Sequence, residues 1–258
     1  EYLQVSNRIR EEFLQKKEPV RLNKYLSEAG VCSRREADRL IENGRVTVDG
    51  KAAQTGMRIT PGQVVRIGGK IVSKQDEMIV LAVNKPRGIV CTEEKRERNS
   101  IVRFLDYPVR VTYVGRLDKD SRGLLLMTNN GDIINRMMRA ANCHEKEYKV
   151  TVDREITEDF LQRMSEGVAI LDTVTRPCKV EKLGKYTFSI ILTQGLNRQI
   201  RRMCEALGYE VKDLVRVRVM NIRLGSLKEG QYRKLTDEEL DELYGLIKDS
   251  PGGPSEKI

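Results

Sequence analysis

The run Tyr113-Val114-Gly115-Arg116-Leu117-Asp118-Lys119-Asp120-Ser121-Arg122-Gly123-Leu124-Leu125-Leu126-Met127-Thr128-Asn129 sets a charged turn directly ahead of a strongly apolar strand. Two acids, Asp118 and Asp120, stand in that turn among Arg116, Lys119 and Arg122. Its opening imitates a calcium loop, with acids at positions one and three and glycine at six. Arg122 at five and Asn129 at twelve, however, supply neither the middle oxygen ligand nor the bidentate Glu. On residue chemistry alone, Asp118 is either one end of a structural ion pair or a catalytic carboxylate.

Around this turn, strands are expected at Val80–Asn84, Leu124–Thr128, Glu147–Val152, Tyr186–Thr193 and Val215–Asn221, with helices at Asp132–Ala140, Glu158–Ser165 and Arg198–Leu207. The strands alternate in polarity, which predicts a mainly antiparallel mixed sheet with flanking helices and one face open to a large ligand. Arg198, Arg201 and Arg202 fall at i, i+3 and i+4, on one helix face opposite Ile200, Met203, Cys204 and Leu207. Arg216 and Arg218 alternate with Val215, Val217 and Val219, an arrangement expected to extend a basic surface along one side of a strand.

Upstream, Leu22, Tyr25, Leu26 and Ala29 keep helical spacing before Gly30. A second helix begins at Ser33-Arg34-Arg35-Glu36, whose S-x-x-E spacing is that of a capping box. Hairpins are expected at 46–51, with an Asp-Gly turn, and at 64–72. This small module carries Arg34, Arg35 and Arg39 on its second helix, with Arg45, Lys51 and Arg58 following. The chain therefore divides into an extension at 1–19, the small module at 20–73, a linker at 74–79, a larger α+β domain at 80–248 and a disordered tail at 249–258.

Forty-seven Lys+Arg against 38 Asp+Glu give a net charge of +9, which favours a polyanionic partner, nucleic acid first and an acidic membrane surface second. No stretch reaches the ~20 apolar residues of a membrane span, and no signal peptide is read. Five cysteines without a C-x-x-C pair give no zinc or disulfide framework, so each is expected to be a small buried hydrophobe in a reducing cytoplasm. His144 is the sole histidine, which excludes chemistry needing two and leaves no metal site. Gly68-Gly69-Lys70 lacks the spacing and the Ser/Thr of a phosphate loop.

The Gly-Arg-Leu-Asp segment resembles the nucleophile loop of RNA pseudouridine synthases. Three further segments agree in order: Asn84-Lys85-Pro86-Arg87-Gly88, Glu145-Lys146-Glu147-Tyr148-Lys149-Val150 and Leu196-Asn197-Arg198-Gln199-Ile200-Arg201-Arg202-Met203. The first module resembles an S4 (αL-type) RNA-binding domain, and the combination is similar to the RsuA-like branch. That resemblance implies isomerisation of uridine to pseudouridine without a cofactor. Asp118 would be the nucleophile, Arg201 its orienting partner, and Tyr148 the ring that stacks on a flipped base. It also implies RNA contacts by Arg116, Leu117 and Lys119, by Arg198, Gln199, Ile200 and Arg202, and by Arg34, Arg35 and Arg39 of the S4-like module. Leu196 departs from the family, many of whose members carry a base there. The implied partners are 23S rRNA or a pre-ribosomal large subunit, and a tRNA anticodon loop, bound by a monomer with no membrane role. A non-catalytic RNA-binding or ribosome-assembly protein on the same fold is the alternative.

Overall fold

Short apolar runs broken by glycine turns give the N-terminal module its small sheets. The computed structural model describes residues 18–72, 78–139 and 143–248. The extension before residue 18, most of the expected linker and the expected tail lie outside these residues. The module runs β1 (Val20–Arg21), α1 (Leu22–Glu28), α2 (Arg34–Glu42), β2 (Val46–Val48), β3 (Lys51–Ala52), β4 (Arg58–Ile59), β5 (Val65–Ile67) and β6 (Lys70–Val72). Asp49-Gly50 and Gly68-Gly69, all at positive φ, make the two expected hairpin turns, and the strands order as β3-β2-β5-β6 with β1-β4 beside them. Leu22, Leu26, Ala37, Ile41, Val46 and Val65 fill the core. At the second helix, Ser33 Oγ accepts from the Glu36 N–H at 3.2 Å. The Glu36 carboxylate meets Arg39 Nη1 at 3.5 Å.

The larger body begins with β7 (Val80–Lys85), α3 (Ile101–Leu105), β8 (Thr112–Val114), β9 (Arg122–Thr128) and α4 (Gly131–Met138). It continues with β10 (Lys146–Val152), α5 (Glu158–Glu166), β11 (Ala169–Ile170), β12 (Thr173–Val174), β13 (Lys179–Lys182) and β14 (Thr187–Leu192). It closes with α6 (Gln199–Ala206), β15 (Val211–Val219), β16 (Ile222–Arg223), β17 (Tyr232–Lys234) and α7 (Asp237–Ile247). The sheet order is β13-β14-β10-β15-β9-β7-β17, with β8 on β9 and β16 on β15. Among the described strands of this sheet only β9 and β15 pair in parallel, so the sheet is mixed and mainly antiparallel, and the fold is α+β.

That parallel seam joins two unlike halves. On the β7–β9 side both faces are covered: Val80, Leu124 and Leu126 pack toward α4 and α7, while Leu81, Leu125 and Met127 pack toward α3. The expected open face is therefore restricted to the β10–β14–β15 half, where Val150, Phe188 and Leu214 pack on one side with α5 and α6. Periodicity missed α7. Its Thr236–Glu239 capping box starts a helix that buries Leu240, Leu243, Tyr244 and Ile247.

Gly123 makes the seam possible. Its φ is +109°, and a Cβ there would stand 2.4 Å from the Arg216 carbonyl oxygen and 2.7 Å from its nitrogen. Only glycine lets β9 lie against β15 at this point.

Candidate active site

The turn that carries Asp118 is braced on several sides. The Ser121 N–H donates to the Asp118 carbonyl at 3.1 Å and closes it, while the Gly88 N–H donates to the Lys119 carbonyl at 2.8 Å and ties it to the turn after β7. Leu117 is buried and roots the turn in the core. From below, the buried Arg216 donates through Nε to the Leu124 carbonyl at 2.7 Å and through Nη1 to the Arg116 carbonyl at 3.4 Å. The half-buried Asp118 carboxylate makes no hydrogen bond or ion pair among the described residues. Asp118 is thus positioned by its backbone, with its carboxylate oxygens left open.

Sheet register brings the other groups alongside. Gly123 pairs with Arg216 across the seam, and Arg216 pairs in turn with Tyr148, just after an irregularity in β10 at Glu147/Tyr148. Tyr148 is half-buried and packs against the cores on both sides of the seam. A ring held between two cores, on β10 with β15 between it and the strand that follows the Asp118 turn, has a fixed orientation.

The arginines differ from expectation. Arg201, expected on Asp118, donates to the Asp120 carbonyl at 2.9 Å and Ser121 Oγ at 3.2 Å, and its Nε lies 3.5 Å from the Asp120 carboxylate. Arg198 grips the same carboxylate with both Nη atoms at 2.9 Å. Its backbone is left-handed, just ahead of α6, so it does not share a helical face with Arg201. Arg202 folds back onto Asn197.

Ile200 is buried in the core, so it and Leu117 cannot offer side chains to RNA. Gln199 is buried too, and accepts from the Leu196 N–H at 3.1 Å. Nor do β15's arginines extend a basic surface. Arg216 is interior, because the seam buries its strand, and Arg218 is paired with Glu147 at 2.8 Å and Glu145 at 3.0 Å. Arg116, Lys119, Arg34, Arg35 and Arg39 are exposed.

Sequence reading missed three supports. Lys85 ends β7 fully buried, its Nζ donating to the carbonyls of Pro86 at 2.9 Å and Ile89 at 2.8 Å. Burial brings its pKa down to about 8, opposed by attraction from Cys91, Asp118 and Asp120. Asp213 receives Arg122 at 3.0 and 2.8 Å and Arg87 at 2.7 Å, linking the turns after β7 and before β9. Those hydrogen bonds, Arg122's foremost, hold its carboxyl below the usual range. Arg216 is the third. The visible signal for Lys85 was a lone charge ending an apolar strand; Asp213 had none.

The remaining candidates are mostly structural. His144 hydrogen-bonds the Arg136 carbonyl through Nε2 at 3.2 Å. Cys91 and Cys204 are buried as expected, whereas Cys143 is exposed. No group of three metal-binding side chains occurs among the described residues, and no described helix is long and apolar enough to cross a membrane.

Comparison with known proteins agrees with this geometry. The RNA pseudouridylate synthase family model matches residues 79–206, and the S4 domain model matches 20–65. The dual-specificity RNA pseudouridine synthase RluF of Escherichia coli K12 is 54% identical over 233 residues, covering 90% of this chain and 80% of that protein. An uncharacterized RNA pseudouridine synthase of Aquifex aeolicus is 38% identical, over 90% of this chain and 99% of its own. A crystal structure of a pseudouridylate synthase superposes with a TM-score of 0.64 at 30% identity, over 87% of this chain and 99% of that one.

Proposed function

The chain belongs to the RNA pseudouridylate synthase family and is an RNA pseudouridine synthase; from that premise we propose that Asp118 is the nucleophile that isomerises a flipped uridine in structured RNA. The observation that carries this reading is the unpartnered Asp118 carboxylate in a turn braced by Arg216, Gly88 and Ser121. Isomerisation breaks the N1–C1′ bond, turns the uracil and joins C5 to C1′, with the C5 proton lost to solvent and a proton taken up at N1. A carboxylate serves by attacking the ribose or C6, or by assisting release of the base. Tyr148 stacks on the base, which must leave its helix to be reached. Arg116 and Lys119, exposed on either side of Asp118, meet the flanking backbone.

The domain at 20–73 docks the RNA through Arg34, Arg35 and Arg39, and the domain at 80–248 performs the chemistry in the cytoplasm as a monomer. The proposed substrate is 23S rRNA, free or in a pre-ribosomal large subunit. The similarity to a protein named dual-specificity supports a second RNA substrate, for which a tRNA anticodon loop is proposed.

The test is release of tritium from RNA carrying [5-³H]uracil, with rRNA and tRNA as separate substrates. Asp118→Asn is expected to lower release by about a thousandfold or more while RNA still binds. Full release by that variant would remove Asp118 from the mechanism.

A further inference from the structure

A cavity of about 530 Å³ opens beside the catalytic turn, lined by Arg87, Lys119, Arg201 and Lys212 together with Asp120 and Glu210. Its cations suit an RNA phosphate, but Arg201 in its wall and Arg198, which reaches the cavity's Asp120 from outside the lining, are already engaged. Asp120 takes Arg198 in a two-pronged pair and Arg201 at 3.5 Å, and about half of its own side chain remains exposed. The fork-to-carboxylate geometry is the one by which a guanidinium grips a phosphate. The fit with Arg201 is incomplete: its buried Nε has no hydrogen-bond partner among the described residues. A surface pair of this kind is held weakly enough to be exchanged for a stronger anion.

We propose that Asp120 is a built-in stand-in for an RNA phosphate, a positioning residue that keeps Arg198 and Arg201 parked over the catalytic turn until a backbone phosphate entering the cavity displaces it. The inference rests on the RNA reading above and adds to it the residue that sets affinity at this mouth. Free Asp120 then takes up a cation, so each binding event releases about one ion fewer than it would without the acid.

Binding of a fluorescein-labelled stem-loop RNA to the full chain, read by anisotropy across a potassium chloride series, tests this. Asp120→Asn is expected to bind threefold to tenfold more tightly, with a salt slope steeper by about one. Asp120→Glu, which keeps the charge, should stay within about twofold of the parent. Removing any acid near RNA favours binding in general, so the decisive comparison is made in an Arg198→Gln background, where only that general effect and the looser Arg201 contact remain and adding Asp120→Asn should tighten binding by about twofold at most.

Equal tightening in both backgrounds, or unchanged or weaker binding by Asp120→Asn alone, overturns the proposal. Should Asp120→Asn fail to unfold cooperatively in urea, the side-chain Nε–H signal of Arg198 in ¹⁵N-arginine-labelled parent protein decides instead. It should shift on RNA addition, and an unmoved signal with RNA bound refutes displacement. A parent protein that binds the stem-loop but releases no tritium from any RNA would defeat the isomerase reading and leave this comparison legible. A parent that binds no RNA defeats both.

Discussion

Two arginine-rich regions of this molecule are built on opposite terms. On α2, Arg34 and Arg35 stand in solvent with no partner among the described residues, and Arg39 has only a loose contact with Glu36. Around the Asp118 turn every arginine that the sequence had placed on a basic face at the start of α6 or along β15 is engaged. Arg198 and Arg201 hold Asp120, Arg202 holds Asn197, Arg216 holds two carbonyls and Arg218 holds two glutamates. Guanidinium groups left in water contribute sequence-independent attraction to phosphates. Those committed to carbonyls and carboxylates fix geometry.

The largest effect should come from the seam that supports the second region. Gly123→Ala forces a Cβ into the Arg216 backbone and strains a φ of +109°. Urea unfolding should show a loss of about 3–5 kcal/mol, together with loss of tritium release. Near-parental stability would mean the β9–β15 contact yields more easily than its geometry implies.

Next, Arg216→Gln removes the brace under Arg116 and Leu124 and is expected to lower turnover about a hundredfold, with the salt slope of RNA binding unchanged. A shallower slope in that variant would show Arg216 reaching phosphate and would erase the distinction drawn here. For the first region, Arg34→Gln combined with Arg35→Gln should weaken stem-loop binding about tenfold near physiological salt and flatten the slope by roughly 1.5–2. An unaltered slope would place the docking surface elsewhere.

The smallest effect concerns Lys85. Burial favours its neutral form, so the folded protein releases its proton near pH 8, while the unfolded chain keeps it to the ordinary 10.5. Between those values the unfolded state binds more protons, so this group's contribution to stability is lowest below pH 8 and rises with pH. Relative to Lys85→Met, wild-type stability should rise by on the order of 1 kcal/mol between about pH 8 and about pH 9. A flat difference would show that the amine is neutral, or charged, on both sides of the window.

Much of this was legible beforehand because it is local. Alternation and turn residues placed β7, β9, β10, β14 and β15 within a few residues, and Ser33 and Gly30 marked the helix boundaries of the first module. Arg201's partner was not legible. The expected pairing with Asp118 came from the family resemblance, whereas the turn presents Asp120 and its carbonyl to α6. Arg216 was misread for a related reason. Alternation correctly put it on the opposite side of the strand from Val215, but the covering of that side by the seam depends on β9, which lies far away in the chain.

Local patterns are enough to establish that a basic two-domain α+β chain carries a carboxylate in a turn ahead of an apolar strand, and that its motifs stand in the order of an RNA-modifying family. Composition, periodicity and turn chemistry act within a few residues, which is why they can be read in one dimension. Long-range packing settles which acid each arginine holds, makes Lys85 and Arg216 interior, and leaves Asp118 alone among the acids of its turn without a pair among the described residues. Strand pairing between distant segments, such as the parallel contact at Gly123, is a competition of packing and hydrogen bonding across the whole chain.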